Sequence, residues 1–150
     1  MAARKIYMLQ RVQTLYMLSA TILTIVLFFK NLMTIGDTSV KFIEYKPFLI
    51  LTIISLVVAL LTFALFTSRI LQIRFCIFNM LILLGFQGWI AYMFFTRAQG
   101  TIFTIYSVFP IISAILYFIA MKYLAKDEAL IQASNSLRDI HKKYKKYKKN

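Results

Sequence analysis

Few residues in this sequence could carry out chemistry, and the acidic ones lie outside its apolar segments. The five acids are Asp37, Glu44, Asp127, Glu128 and Asp139. Proton relays and ion-coupled transport within a membrane depend on carboxylates at membrane depth. Since none of the five falls within an apolar segment, we expect neither activity here.

The other reactive side chains are isolated from one another. His141 stands alone beside lysines, which favours a solvated histidine over a metal ligand or general base. Cys76 is the only cysteine, so neither an internal disulfide nor a cysteine-rich metal site can form. There is no glycine-rich phosphate loop, nucleophile elbow or paired-carboxylate motif. We therefore predict a protein that is not an enzyme and has no cofactor or metal ion.

Two polar side chains do fall inside an apolar segment, namely Asn79 and Gln87. They are about two helical turns apart and so lie roughly on one face of a helix. Hydrogen bonding between helices is one role for such residues, and contact with a transported solute is the alternative. A second set consists of small residues at steps of three, four and three: Thr52, Ser55, Ala59 and Thr62. This spacing predicts a face on which helices pack closely, with a pore lining as the alternative.

The composition is that of an integral membrane protein. Hydrophobic residues make up 61% of the chain and the mean hydropathy is +0.74, whereas soluble domains are about 45–50% apolar. Four apolar runs of about 20 residues predict an all-α membrane protein, an antiparallel bundle of four transmembrane helices. The predicted spans are about residues 8–29, 47–67, 75–95 and 101–121, within one membrane domain at residues 1–121.

The segments between and within these spans carry further signals. Two β-prone runs around Gly36 and Asp37 predict a small external hairpin. Residues 68–74 are expected to form a tight cytoplasmic turn. Pro110, inside the fourth span, predicts a kink there.

The distribution of charge predicts the orientation. Eighteen Lys and Arg residues stand against five acids, for a net charge of +13. With both termini in the cytoplasm, fourteen of the basic residues would lie inside and four outside, in agreement with the positive-inside rule. Nine of the fourteen lie from Lys122 onward, so the N-in, C-in prediction depends mainly on the C-terminal end.

The C-terminal end is predicted to continue span four as a cytoplasmic amphipathic basic helix at residues 122–141, followed by a Lys-rich tail at 142–150. Its apolar residues alternate at steps of three and four: Leu130, Ala133, Leu137, Ile140, Tyr144 and Tyr147. Three partners remain open for this end, namely anionic lipid headgroups, a coiled-coil helix and ribosomal RNA. The contacts to lipid or RNA would come from Lys142, Lys143, Lys145, Lys146, Lys148 and Lys149.

Three motifs carry a family resemblance: Leu9-Gln-Arg-Val-Gln-Thr-Leu-Tyr-Met-Leu18, Leu71-Gln-Ile-Arg-Phe-Cys-Ile-Phe-Asn79 and Lys126-Asp-Glu-Ala-Leu-Ile-Gln-Ala-Ser-Asn-Ser-Leu-Arg138. In this order they resemble the uncharacterised four-span inner-membrane family of Bacteroidota, domain of unknown function family 4293. The resemblance covers about residues 9–138. It implies the four-span fold and a multi-pass location in the bacterial inner (cytoplasmic) membrane, and it implies no activity.

In the four-span topology the three motifs meet at the cytoplasmic face. We predict a polar cluster there, formed by Gln10, Arg11, Gln13, Gln72, Arg74, Asp127 and Glu128. Within it, Arg11 or Arg74 would pair with Asp127 or Glu128. The alternative is that the arginines face lipid phosphates.

Two functions follow as hypotheses. The first is an accessory or scaffold subunit of a larger envelope complex, which needs a membrane protein partner. In its more specific form the basic C-terminus associates with a translocon or ribosome. The second is a small passive transporter or channel that would use Asn79, Gln87 and the hydroxyl groups of the second span.

Overall fold

A computed structural model describes the backbone of residues 2–149 and the side chains of residues 11–149. It contains four long helices, three short strands and one turn of 3-10 helix. In chain order these are α1 (Ala2–Val26), β1 (Asn31–Ile35), β2 (Thr38–Lys41), α2 (Lys46–Ala64), α3 (Arg69–Thr96), β3 (Thr101–Phe103), the 3-10 helix (Ile105–Val108) and α4 (Phe109–Lys149).

The four helices pack side by side, and α4 makes the most extensive contacts. It packs against both α1 and α3, while α2 packs against α3 and α1. Paired contacts run in opposite directions along neighbouring helices, so these neighbours are antiparallel. The pairs are Tyr16–Tyr123 and Thr21–Tyr117 for α1 with α4, Arg69–Asp127 and Gln87–Ile111 for α3 with α4, and Phe48–Phe86 and Ser55–Asn79 for α2 with α3.

The outer surface of the bundle is apolar. Leu60 is 66% exposed on α2, Leu81 is 57% exposed on α3 and Ile115 is 53% exposed on α4. Among the described residues, three helical segments are long and apolar enough to cross a membrane: Lys46–Ala64, Arg69–Thr96 and Ile105–Lys149. Soluble monomers rarely expose large contiguous apolar surfaces, so these helices indicate a membrane protein.

One end of the bundle carries a three-stranded antiparallel sheet in the order β2-β1-β3. Ile35 pairs with Thr38, so Gly36 and Asp37 form a two-residue hairpin loop. Gly36 has a φ of 60°, a value that glycine adopts without the steric cost other residues meet, at the loop position where type II′ turns require it. The predicted hairpin is therefore present.

The sheet also has a strand that the sequence did not predict. β3 pairs with β1, with Ile35 opposite Thr101 and Met33 opposite Phe103. These residues belong to the segment predicted as the start of span four. The expectation of an all-α protein is therefore incomplete, because the structure is mostly helical but includes this small sheet.

Aromatic side chains join the sheet to the ends of the helices. Leu32 and Phe42 are buried against Phe48 of α2 and Phe86 of α3. The rings of Phe48 and Phe86 have centroids 4.9 Å apart, and Phe42 meets Phe86 edge-on at 6.2 Å. The sheet thus covers this end of the bundle with apolar side chains.

One predicted boundary and one predicted kink are wrong. The turn between α2 and α3 ends before Arg69, where α3 already begins, and does not extend to Arg74. Pro110 is the second residue of α4, a first-turn position where its missing N–H removes no helical hydrogen bond. α4 then continues to Lys149 without interruption, so the helix that the sequence predicts beyond residue 121 is continuous with the apolar part of α4.

Candidate functional site

An ion pair closes the end of the bundle opposite the sheet. Arg69, in the first turn of α3, donates through Nη1 to Oδ2 of Asp127 on α4. The Asp127 side chain is 0% exposed and that of Arg69 is 17% exposed. A buried carboxylate is strongly disfavoured without a charged partner. The pair therefore holds α3 and α4 in register at this end.

Both charges continue the buried stripe of their own helix. On α3 the stripe contains Gln72, Cys76 and Asn79, and Arg69 precedes it by three residues, which places it on the same face. On α4 the buried residues Ala120 and Leu124 lead to Asp127. The two stripes face each other, and each ends in a charge at the end of the bundle opposite the sheet.

Two glutamines are buried at the same end. Gln13 is 4% exposed and Gln72 is 6% exposed, and Gln72 Nε2 lies 3.9 Å from the sulfur of Met17. Tyr16 stacks on Tyr123 with ring centroids 5.8 Å apart. We call Gln13, Arg69, Gln72 and Asp127 the ion-pair cluster, because α1, α3 and α4 meet there.

The Asp127 carboxylate depends on one partner. Among the described residues, Asp127 Oδ1 and Gln13 Oε1 are buried without a hydrogen-bond partner. A buried acceptor left unpaired costs about 1–3 kcal/mol. Because the guanidinium of Arg69 contacts only Oδ2, its loss would leave the whole carboxylate uncompensated.

The structure brings together part of the predicted polar cluster. Gln13, Gln72 and Asp127 are buried at one end, whereas Arg11 and Arg74 are exposed. Glu128 is partly buried, and its Oε1 accepts a hydrogen bond from Gln132. Gln10 lies outside the residues with described side chains.

The partner of Asp127 differs from the predicted one. It is Arg69, not Arg11 or Arg74. The difference has a simple cause, since the sequence predicts a turn at Arg69, whereas Arg69 belongs to α3, on the face of Gln72. Extending the stripe of Gln72, Cys76 and Asn79 by one turn towards the N-terminus would have identified Arg69.

A second polar group lies about 15 Å further along α3, ten residues from Arg69 at 1.5 Å per residue. Ser55 Oγ donates to Asn79 Oδ1 at 2.7 Å, and the hydroxyls of Thr21 and Tyr117 are 3.1 Å apart. Asn79 also lies beside Tyr117. We call Thr21, Ser55, Asn79 and Tyr117 the polar layer, because it takes one side chain from each of the four helices.

The small residues that are predicted to form a helix-packing face on α2 are all buried on one side of that helix. Thr52, Ser55, Ala59 and Thr62 are all at most 2% exposed. Thr52 and Thr62 donate to carbonyl oxygens of their own helix, those of Phe48 and Val58, both at 2.7 Å. These two hydroxyls are thus used within α2, and only Ser55 of the set bonds to another helix.

Gln87 lies about two turns beyond Asn79 and serves a different contact. Its Oε1 accepts a hydrogen bond from the backbone N–H of Ile111 at 3.3 Å. That N–H belongs to the first turn of α4, where donors have no partner within the helix. Gln87 therefore caps the start of α4.

The predicted lysine contacts lie far from both groups. Residues 132–149 of α4 are all exposed, and the last partly buried residue before them is Ile131. All six lysines from Lys142 to Lys149 are therefore on a helix that extends beyond the bundle. Among the described residues, no group of three or more His, Cys, Asp or Glu side chains could hold a metal ion.

Removing Arg69 should destabilise the fold far more than removing Arg74. We expect Arg69→Met to lower the free energy of unfolding by about 3–5 kcal/mol, because it leaves a buried carboxylate without its partner. The exposed Arg74→Met should stay within about 0.5 kcal/mol of the original protein. Both free energies of unfolding are measured by denaturation in detergent, monitored by circular dichroism.

Two more variants test the cause of this loss. Replacing the whole pair, in Arg69→Met with Asp127→Leu, should recover most of the stability, because buried ion pairs can be replaced by apolar residues at little cost. Asp127→Asn alone should cost less than Arg69→Met, since Arg69 is 17% exposed and can reach water. Equal losses for Arg69→Met and Arg74→Met would contradict this account of the ion pair.

Comparisons with known proteins give a family and no relative of known function. Neither a curated protein nor a solved structure matches the chain. Residues 9–137 match the family described as Domain of unknown function (DUF4293). This range contains the ion-pair cluster, the polar layer and the sheet, and it confirms the resemblance inferred from the three motifs. The chain belongs to the DUF4293 family.

Proposed function

We propose that this protein is a non-enzymatic accessory or scaffold subunit of a larger complex in the bacterial inner membrane. In this proposal α1 is a fourth transmembrane helix and both termini are cytoplasmic. The main support for this proposal is a difference between the interior of the bundle and the end of α4. Polar side chains inside the bundle bond to its own helices, whereas α4 beyond Ile131 is a long, exposed and basic helix.

The position of α1 supports a fourth span. It runs antiparallel to α4, from the contact of Tyr16 with Tyr123 to that of Thr21 with Tyr117. If α4 crosses the membrane, α1 lies at the same depth. The outer face of α1 is apolar and exposed, as a surface in contact with lipid would be: Leu15 62%, Leu18 47%, Ile22 51% and Ile25 42%.

The charges at the two ends of the bundle support the orientation. The end with the ion-pair cluster carries Arg11, Arg74 and the basic part of α4. The sheet end carries fewer basic residues, namely Lys30, Lys41, Lys46 and Arg97. Since Lys and Arg are enriched on the cytoplasmic side of membrane proteins, the ion-pair end would face the cytoplasm.

Cysteine labelling tests this orientation. Ser39→Cys lies on the sheet and Ser134→Cys lies on the exposed part of α4. In intact spheroplasts, a membrane-impermeant maleimide should label Ser39→Cys but should label Ser134→Cys only after permeabilisation. The original protein is the control, because Cys76 is 0% exposed and should stay unlabelled. The reverse pattern would place the basic helix outside.

The accessory role is favoured over the passive transporter because most of the intramembrane polar groups already have partners; among the described residues, Asn79 Nδ2 is an exception, buried without one. Asn79 bonds to Ser55, and Gln87 caps α4 at Ile111. Thr52 and Thr62 bond within α2. A solute pathway built from these residues would first have to break these hydrogen bonds. The accessory role requires no such rearrangement.

Replacing the two amides separates these functions. Asn79→Leu and Gln87→Leu should each lower stability by about 0.6–2 kcal/mol, the usual range for hydrogen bonds between helices in membranes. Swelling of proteoliposomes in small neutral solutes should be the same as for the original protein. Gln99→Leu, an exposed amide in a loop, is the control. Loss of solute flux in the two span variants but not in Gln99→Leu would favour a transporter.

Copurification tests the accessory role itself. The chain would be isolated in gentle detergent from native membranes, beside a version that ends at Arg138 and a full-length version with glutamine in place of all six tail lysines. We expect an integral membrane partner to copurify with the full chain. Ribosomes retained only by the original chain and only at low salt would indicate a nucleic-acid contact. If no membrane protein copurifies at any salt concentration, the accessory role is wrong.

A further inference from the structure

If α4 crosses the membrane, its length carries its basic part away from the membrane surface. α4 has 41 residues, which corresponds to a length of about 60 Å, and a bilayer core requires only about 20 residues or 30 Å. No glycine or proline follows Pro110 in the sequence, so the usual causes of a helix kink are missing. In an α4 that crosses the membrane upright, Lys142 to Lys149 would therefore lie further from the headgroups than the Debye length of about 8 Å over which headgroup charge acts. This geometry disfavours a lipid partner.

The projecting helix has an apolar seam with a heptad repeat. Leu130, Leu137 and Tyr144 are seven residues apart, as are Ala133, Ile140 and Tyr147. These are the a and d positions of a coiled coil, and we call the six residues the seam. Leu137 is 68% exposed and Ile140 is 61% exposed. The seam begins at Leu130, next to the last residue that packs on the bundle.

The charges around the seam exclude a second copy of this chain as its best partner. Lys143 and Lys148 occupy the g and e positions, which lie opposite each other in a parallel coiled coil. In a homodimer these lysines would repel. Lysines at spacings of three and four along one helix also repel one another: Lys142, Lys145, Lys146 and Lys149. An acidic partner helix would place opposite charges across from Lys143 and Lys148 and so replace the first repulsion with attraction.

The aliphatic residues of the seam distinguish between acidic partners. RNA would bind the lysines and stack its bases on Tyr144 and Tyr147. It would leave Leu130, Leu137 and Ile140 exposed to water, whereas a second amphipathic helix would cover them.

We propose that the seam binds an acidic amphipathic helix of a partner protein, forming a short cytoplasmic coiled coil. The partner helix places apolar residues against the seam and Glu or Asp opposite Lys143 and Lys148. This proposal rests on the accessory function, because it names the chemistry of the cytoplasmic partner.

The test uses the full chain in nanodiscs of zwitterionic lipid. The first probe is a labelled peptide of three heptads with Leu at a and d and Glu at e and g, and a version with Lys at e and g is its control. A labelled oligouridylate is the RNA probe. Fluorescence anisotropy should show the acidic peptide binding at least ~10-fold more tightly than its basic control, the factor that corresponds to about 1.4 kcal/mol.

Two sets of variants locate the contact. Leu137→Ser with Ile140→Ser should weaken binding of the acidic peptide at least ~10-fold, and the bundle should be unaffected because both residues are exposed outside it. Lys143→Gln with Lys148→Gln should weaken binding more than Lys142→Gln with Lys149→Gln. Both pairs remove two charges, but only the first flanks the seam, because Lys142 and Lys149 occupy f positions.

Three outcomes would overturn the proposal. Equal effects of the two lysine pairs would show attraction by charge alone. Oligouridylate binding that exceeds peptide binding and is insensitive to the Leu137 and Ile140 substitutions would assign the helix to RNA. A disulfide-linked dimer of Ile140→Cys in native membranes would assign the seam to a second copy. Because the peptide assay uses the isolated chain, its failure is distinguishable from the failure of copurification that would remove the accessory function.

Discussion

The burial of one negative charge constrains the arrangement of the helices. Asp127 is fully buried and is tolerated because Arg69 lies beside it. The pair fixes the start of α3 against one level of α4, and the stack of Tyr16 on Tyr123 fixes α1 against nearly the same level. With these registers set, the side chains of the polar layer face one another. The same pair marks the point where α4 leaves the bundle.

Helices in a membrane gain little from the hydrophobic effect when they associate, because lipid tails are as apolar as the side chains they replace. Specific contacts must then decide how the helices pack. This chain has such contacts at three levels, namely the ion-pair cluster, the polar layer and the aromatic contacts below the sheet. The apolar outer surface can vary in detail without changing this packing, whereas the three levels determine which helices are neighbours.

Much of this arrangement is predictable from the sequence, and the exceptions have physical causes. The spacing of the small residues on α2 identifies its buried face, and Gly36 with Asp37 identifies the hairpin, because both signals are local. β3 is not predictable in this way, since Thr101–Phe103 is short, lies next to the apolar run of α4 and pairs with a strand distant in sequence. Arg69 is absent from the predicted polar cluster for a different reason. Its partner becomes evident only once the start of α3 is known.

The order of strands in the sheet has a consequence for biosynthesis. β1 can pair with β2 as soon as the hairpin is made, but its other edge pairs with β3 only after α2 and α3 have been synthesised. At typical translation rates of about 5–20 residues per second, this edge stays open for several seconds. An open strand edge is a template for pairing with other chains. The sheet can thus close only once α3 has been synthesised. Until then, the open edge of β1 is exposed to pairing with other chains.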